Sequence, residues 1–163
     1  MKSKKIYMGL LAGLIAGISL EFSLPAIGDT KIHSGSGTGT IEVVNIADVS
    51  EPGGNKIQER TLEGTISGPL SGTFIEVVRG VIHDSGLITF KGSLVFTGTA
   101  AACGNKVGSM TVGLNGTGAA GLPTAEAEFR AIKKSENTLG VTGHGTLKQV
   151  GLDITYEVNY VCL

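Results

Sequence analysis

Glycine sets the first limit on what this chain can fold into. The sequence holds 26 glycines in 163 residues. From residue 35 onward they do not gather into a low-complexity tail but punctuate short runs rich in Val, Ile and Thr at fairly even spacing. Runs of that composition bounded by turn formers read as strands, and a regular succession of them is the pattern of an all-β domain. Eight strands are expected, over 38–46, 56–66, 70–82, 87–98, 106–115, 125–133, 139–150 and 153–161. Turn signals separate them: Pro52-Gly53-Gly54, Ser67-Gly68-Pro69, and His83-Asp84-Ser85-Gly86 as a tight hairpin. Residues 100–105 form a loop carrying Cys103, and 116–123 a glycine-rich connection. The sixth segment alternates small or apolar residues with charged ones, which fits a half-buried strand. It also contains good helix formers, and Thr124 can cap a helix, so that alternative stays open. Eight antiparallel strands with short connections can close into an up-and-down barrel, which removes exposed edges. Interior glycines such as Gly64, Gly92 and Gly143 let strongly coiled strands bend. An open sandwich is the structural alternative.

The first residues stand apart from this pattern. Lys2, Lys4 and Lys5 precede a short apolar stretch over 6–20, and Ala26-Ile27-Gly28 places small residues before a cleavage point after Gly28. This is the arrangement of a signal peptide over 1–28. The stretch is short for a membrane span, the alternative, because crossing the hydrocarbon core takes about 20 apolar residues. A flexible lead-in, 29–37, then precedes a barrel domain over 38–163. Cleavage leaves 135 of the 163 residues; three of the 13 basic and one of the 14 acidic side chains depart, so 10 and 13 remain, a net charge of −3. A mildly acidic chain without a basic cluster is a poor nucleic-acid binder, since phosphate neutralisation dominates that affinity. No stable membrane anchor remains. Cys103 and Cys162 are an even count in an exported chain, which reads as a disulfide tying the last strand to the mid-chain loop; two unpaired buried thiols are the alternative. Secretion or a periplasmic location follows from the same features.

Three stretches carry a family resemblance: Ser34-Gly35-Ser36-Gly37-Thr38-Gly39-Thr40 with Ile41-Glu42-Val43; Gly64-Thr65-Ile66-Ser67-Gly68-Pro69-Leu70-Ser71-Gly72-Thr73; and Leu139-Gly140-Val141-Thr142-Gly143-His144-Gly145. They resemble a bacterial family of unknown function built on the allene-oxide-cyclase-like barrel, a fold also used by plant dirigent proteins. The resemblance implies an eight-stranded barrel with an apolar interior. It also implies a kinship with proteins that cyclise or couple small hydrophobic molecules by holding a reactive substrate in one conformation. No catalytic residue of those enzymes maps onto a position of this chain.

The third strand carries the most chemistry. One face holds Phe74, Glu76, Val78, Gly80 and Ile82; the other holds Thr73, Ile75, Val77, Arg79 and Val81. Successive side chains point to opposite faces, so either Glu76 or Arg79 is expected inside. An inward charge among aliphatic residues is unfavourable unless paired. Glu76 and Arg79 are therefore the candidate acid/base or anchoring groups, and a structural ion pair or an outward charge at a subunit interface is the alternative. Phe74, Val78, Phe90 and Phe96 are the candidate ligand-lining residues, unless they simply fill a solid core. Lys91, Glu128 and Arg130 are expected on the outer face, and Glu63 is ambiguous in the way Glu76 is. His33, His83 and His144 show no metal-ligand spacing. No metal or other cofactor is implied, and there is no nucleophile elbow or phosphate loop.

Three functions fit these features. The first is an exported barrel that binds a small hydrophobic molecule. The second is an isomerase or cyclase steering such a molecule with Glu76 or Arg79. The third is a structural or interaction protein whose apolar outer faces build a homo-oligomer.

Overall fold

A computed structural model describes residues 31–50, 56–119, 124–132 and 136–163. Eight antiparallel strands follow one another round a closed barrel in chain order. They are β1 (His33–Ser50), β2 (Lys56–Ser67), β3 (Leu70–Ile82), β4 (Leu87–Ala100), β5 (Gly108–Ala119), β6 (Thr124–Ala131), β7 (Val141–Val150) and β8 (Asp153–Cys162). The barrel closes where His33–Thr40 of β1 pair with Tyr160–Asp153 of β8. The up-and-down barrel is thus the architecture, not the sandwich, and the sixth segment is a strand.

The strand bounds differ from those expected in two instructive places. Residues 33–37, expected within a flexible lead-in, are the first five residues of β1. Glycines there do not loosen the chain; they let it lie against bulky neighbours. Gly37 sits opposite Tyr156 of β8, and a methyl group on Gly37 would overlap the tyrosine ring. Gly116 and Gly118, expected in a connection, also continue β5, and Gly116 lies against Phe90 of β4 across the ladder. The expected signal peptide and the Pro52-Gly53-Gly54 turn lie outside the described residues.

One pattern recurs round the barrel. Gly37 pairs with Tyr156, Gly64 with Phe74 and Gly145 with Phe129. Each ring lies where the cross-strand side chain would otherwise be, so the large and the absent side chain together fill one slot of the interior. The core gathers at one end, where Phe74, Phe96, Met110, Tyr156 and Tyr160 are buried. That end is also tied down. The Tyr156 hydroxyl donates to the Leu70 carbonyl at 2.7 Å and accepts from the Leu70 amide at 3.1 Å, fixing the β2–β3 turn. The Tyr160 hydroxyl accepts from the Ala102 amide at 3.3 Å. Ala102 belongs to a 3-10 turn over Ala101–Cys103, and Cys103 forms a disulfide with Cys162 of β8. Its 59-residue separation corresponds to about 4 kcal/mol of lost unfolded-chain entropy.

The opposite end is looser. At the β3–β4 and β7–β8 turns Gly86 and Gly151 take left-handed φ values of 80° and 65°, which other residues adopt at a cost. A bulge between Val43 and Asn45 bends β1. Beyond it β1 pairs with β2 alone, as far as Ser50 opposite Lys56, while β2 stays paired with β3 along the same residues.

If ring-over-glycine slots hold the barrel together, filling one should cost more than adding a methyl where space exists. Gly64→Ala and Gly145→Ala are expected to lose about 1–3 kcal/mol each, the scale of overpacking a core. Gly113→Ala, whose nearest neighbour is a side-chain carbon of Ile132 at 3.6 Å, is expected to be neutral or slightly stabilising. Urea unfolding of the three variants measures this; equal losses would refute it.

Candidate functional site

Strand parity decides what faces the interior, and the positions that face it change character along the barrel axis. Towards the tied end they are large. Towards the loose end β3, β5 and β6 turn in Gly80, Gly118, Ala125 and Ala127. Eight strands enclose a space just wide enough for side chains to fill, so small residues there leave it hollow. The result is a cavity of about 320 Å³, at the lower end of the range for small-molecule sites. Its floor is Leu94, Phe129 and Leu147, which also roof a void of about 50 Å³ in the packed half. Its mouth lies among Val43, Ile82, Ile88 and Leu152.

The open parity question of the third strand resolves in favour of the face holding Phe74, Glu76, Val78 and Gly80, all of which are buried. Glu76 lines the cavity and is 7% exposed. Arg79 is exposed on the outside, opposite Glu59 and Lys91. The two candidates for chemistry therefore lie on opposite faces of β3 and do not act at one place. Of the candidate lining residues, Val78 and Phe90 border the cavity. Phe74 and Phe96 do not: they lie below the floor, packed round the smaller void. Parity groups them with Phe90, but their height on the barrel axis puts them in the solid half. Lys91, Glu128 and Arg130 are on the outer face as expected, and so is Glu63.

Glu76 has Leu62 and Leu94 as its cross-strand neighbours. The described ion pairs, Lys56–Asp48 at 3.3 Å and Lys148–Glu126 at 3.2 Å, are surface pairs and do not involve it. A structural ion pair for Glu76 is therefore not what the described residues form. Burial pushes its carboxyl from the ordinary value of 4.5 up to about 7, because desolvation disfavours the charged form.

Two cavity residues do not stand out in the sequence. Arg60 and Gln58 project from β2 on the face that carries Leu62, and both line the cavity. Arg60 donates from Nε (3.3 Å) and from a terminal nitrogen (2.8 Å) to the Gln58 side-chain oxygen. Gln58 Nε2 donates in turn to Asp48 Oδ1 at 2.8 Å. A signal is nevertheless present: Gln58, Arg60, Leu62 and Gly64 alternate with Glu59 and Glu63, so whichever parity takes Leu62 inward takes Arg60 with it.

Polar groups thus sit on the β2–β3 wall, while β4 to β7 supply Phe90, Leu94, Leu114, Phe129 and Leu147. Gln149 at the mouth turns its amide to the Gly151 carbonyl at 2.8 Å. Among the described residues no group of His, Cys, Asp or Glu is placed to hold a metal ion.

No protein-family model matches the sequence, and no curated protein matches it. Among solved structures, the chain is similar to a protein of unknown function from the DUF3224 family of Shewanella oneidensis MR-1. The TM-score is 0.64 at 14% identity, over 82% of this chain and 98% of that one. The likeness is one of fold.

Glu76 has a consequence for stability. Its folded pKa lies above the unfolded value, so the folded state binds more protons between about pH 4.5 and 7, and stability falls as pH rises through that window. The full shift corresponds to about 3 kcal/mol. Glu76→Gln is expected to be more stable than the wild type by up to about 3 kcal/mol near pH 8, with the difference closing below about pH 4.5. Urea denaturation at both pH values measures it; parallel pH profiles for the two proteins would refute the assignment.

Proposed function

We propose that this protein is an exported barrel that holds one small hydrophobic molecule in its hollow half. The observation that carries the reading is the cavity itself: about 320 Å³, open at one end, with an apolar floor and far wall. A barrel built only to be stable would fill that space, because interiors are otherwise close-packed. The small inward residues of β3, β5 and β6 keep it empty. Export rests on the signal-peptide pattern over 1–28, and the disulfide is compatible with an oxidising extracellular or periplasmic compartment. The resemblance to allene-oxide-cyclase-like and dirigent barrels supports the same class of occupant.

One observation favours a second reading. A buried carboxyl with its pKa raised to about 7 is the form a general acid or base takes, so an isomerase or cyclase would use Glu76. Arg79, on the outside, has no part in it. Self-association draws support from Ile75, Val77 and Val95, which are 51–53% exposed on the outer face of β3 and β4.

Native mass spectrometry of the purified protein, unreduced and reduced, tests the main reading. A copurifying apolar small molecule that survives reduction is expected, because the disulfide closes the end away from the cavity. If the protein is always bare and takes up no apolar molecule on incubation, the reading fails. A monomer on size exclusion would remove the self-association reading.

A further inference from the structure

We propose that the occupant of the cavity is a monocarboxylate with an apolar body, its carboxylate held by Arg60 and its body laid against the floor and the β4–β7 wall. This deepens the binding reading above and rests on it.

The asymmetry of the cavity comes first. Arg60, Gln58 and Glu76 stand on two adjacent strands; Leu94 lies beside Glu76 on β4, and Leu114, Phe129 and Leu147 follow round the space. Such a site orients an amphiphile: one end must be polar and the rest apolar. Arg60 fixes the sign of the polar end. A guanidinium carries five N–H donors and is always charged. Two of them go to a single acceptor, the Gln58 oxygen, and that acceptor is neutral. No described ion pair neutralises Arg60. A half-buried cation with donors to spare, turned into an apolar chamber, is matched by a planar anion that accepts two parallel hydrogen bonds.

The guanidinium is also held in place. Asp48 orients the Gln58 amide, so that its oxygen is presented to Arg60. Asp48 lies opposite Gln58, and Ile46 opposite Arg60, on the β1–β2 ribbon. The stretch of β1 beyond the bulge thus carries the group that aims the anchor. Glu76 sits diagonally from Arg60 on the same face, Leu62 opposite the one and Val78 opposite the other. Burial pushes its carboxyl up to about 7, so in the protonated form it offers the ligand a hydrogen-bond donor instead of a second negative charge.

The test compares three probes with one tail: dodecanoate, dodecanol and dodecylamine, titrated calorimetrically into the purified protein at neutral pH. Dodecanoate is expected to bind best. Arg60→Gln is expected to weaken dodecanoate about tenfold or more while leaving dodecanol unchanged, which also shows that the variant is folded with its cavity intact. Arg60→Lys, which keeps the charge and loses the fork, is expected to fall between. Asp48→Asn is expected to weaken dodecanoate by a smaller factor. If dodecanol and dodecanoate bind equally and Arg60→Gln changes neither, the carboxylate inference is overturned and the apolar-ligand reading stands. Preference for dodecylamine overturns it in favour of Glu76 as the anchor. If none of the three binds, both readings fall together.

Discussion

A ring lying over a glycine on the next strand is the contact on which the rest of this barrel depends. Gly37 under Tyr156, Gly64 under Phe74 and Gly145 under Phe129 each put one large side chain into the space of two. An eight-stranded barrel has little interior to fill, and strands as coiled as these need positions where backbone can approach backbone. The pairing answers both needs at once. It also explains how a chain with few aromatic residues has a core: each ring spreads over the neighbouring strand and covers two positions.

The same device divides the molecule. Where rings and Tyr156 and Tyr160 hydroxyls converge on the β2–β3 turn and the Cys103 turn, the interior is solid and cross-braced. Where glycine and alanine face inward with no ring lying over them, as at Gly80 and Gly118, it is hollow. Stability and access are thus assigned to opposite ends. A buried carboxyl is tolerable at the hollow end because the solid end supplies the margin. Burial of Glu76 works against the fold as pH rises through about 7.

How far the sequence can be read depends on the kind of information required. Alternation and turn residues locate eight strands, and the oxidising-compartment argument pairs Cys103 with Cys162, because these rest on local rules. The parity of β3 does not follow, since each of its faces is apolar with one charge; only the registers to β2 and β4 place Glu76 inside and Arg79 outside. The axial position of a side chain is equally hidden. Phe74, Phe90 and Phe96 share a parity, yet Phe90 borders the cavity and the other two lie beneath it, because height depends on the stagger of neighbouring strands. The glycines of 33–37 mislead for a physical reason: composition reads them as flexible, whereas Tyr156 requires a glycine beneath it. Arg60 is legible through the alternation of β2, but its neighbours Glu59 and Glu63 make that strand look uniformly solvated.

Closure between β1 and β8 has a kinetic meaning. Ser34 and Asn159 bond across 125 residues of chain, and every other strand pair lies between neighbours in sequence. Seven hairpin-like pairings can form in the order the chain is made, but the cylinder stays an open curl until β8 arrives, and non-local pairing of this kind is slow. Until then β1 and β7 both present bare edges, the state most prone to join another chain. The sheet can therefore assemble early, but it becomes a container only in its last step.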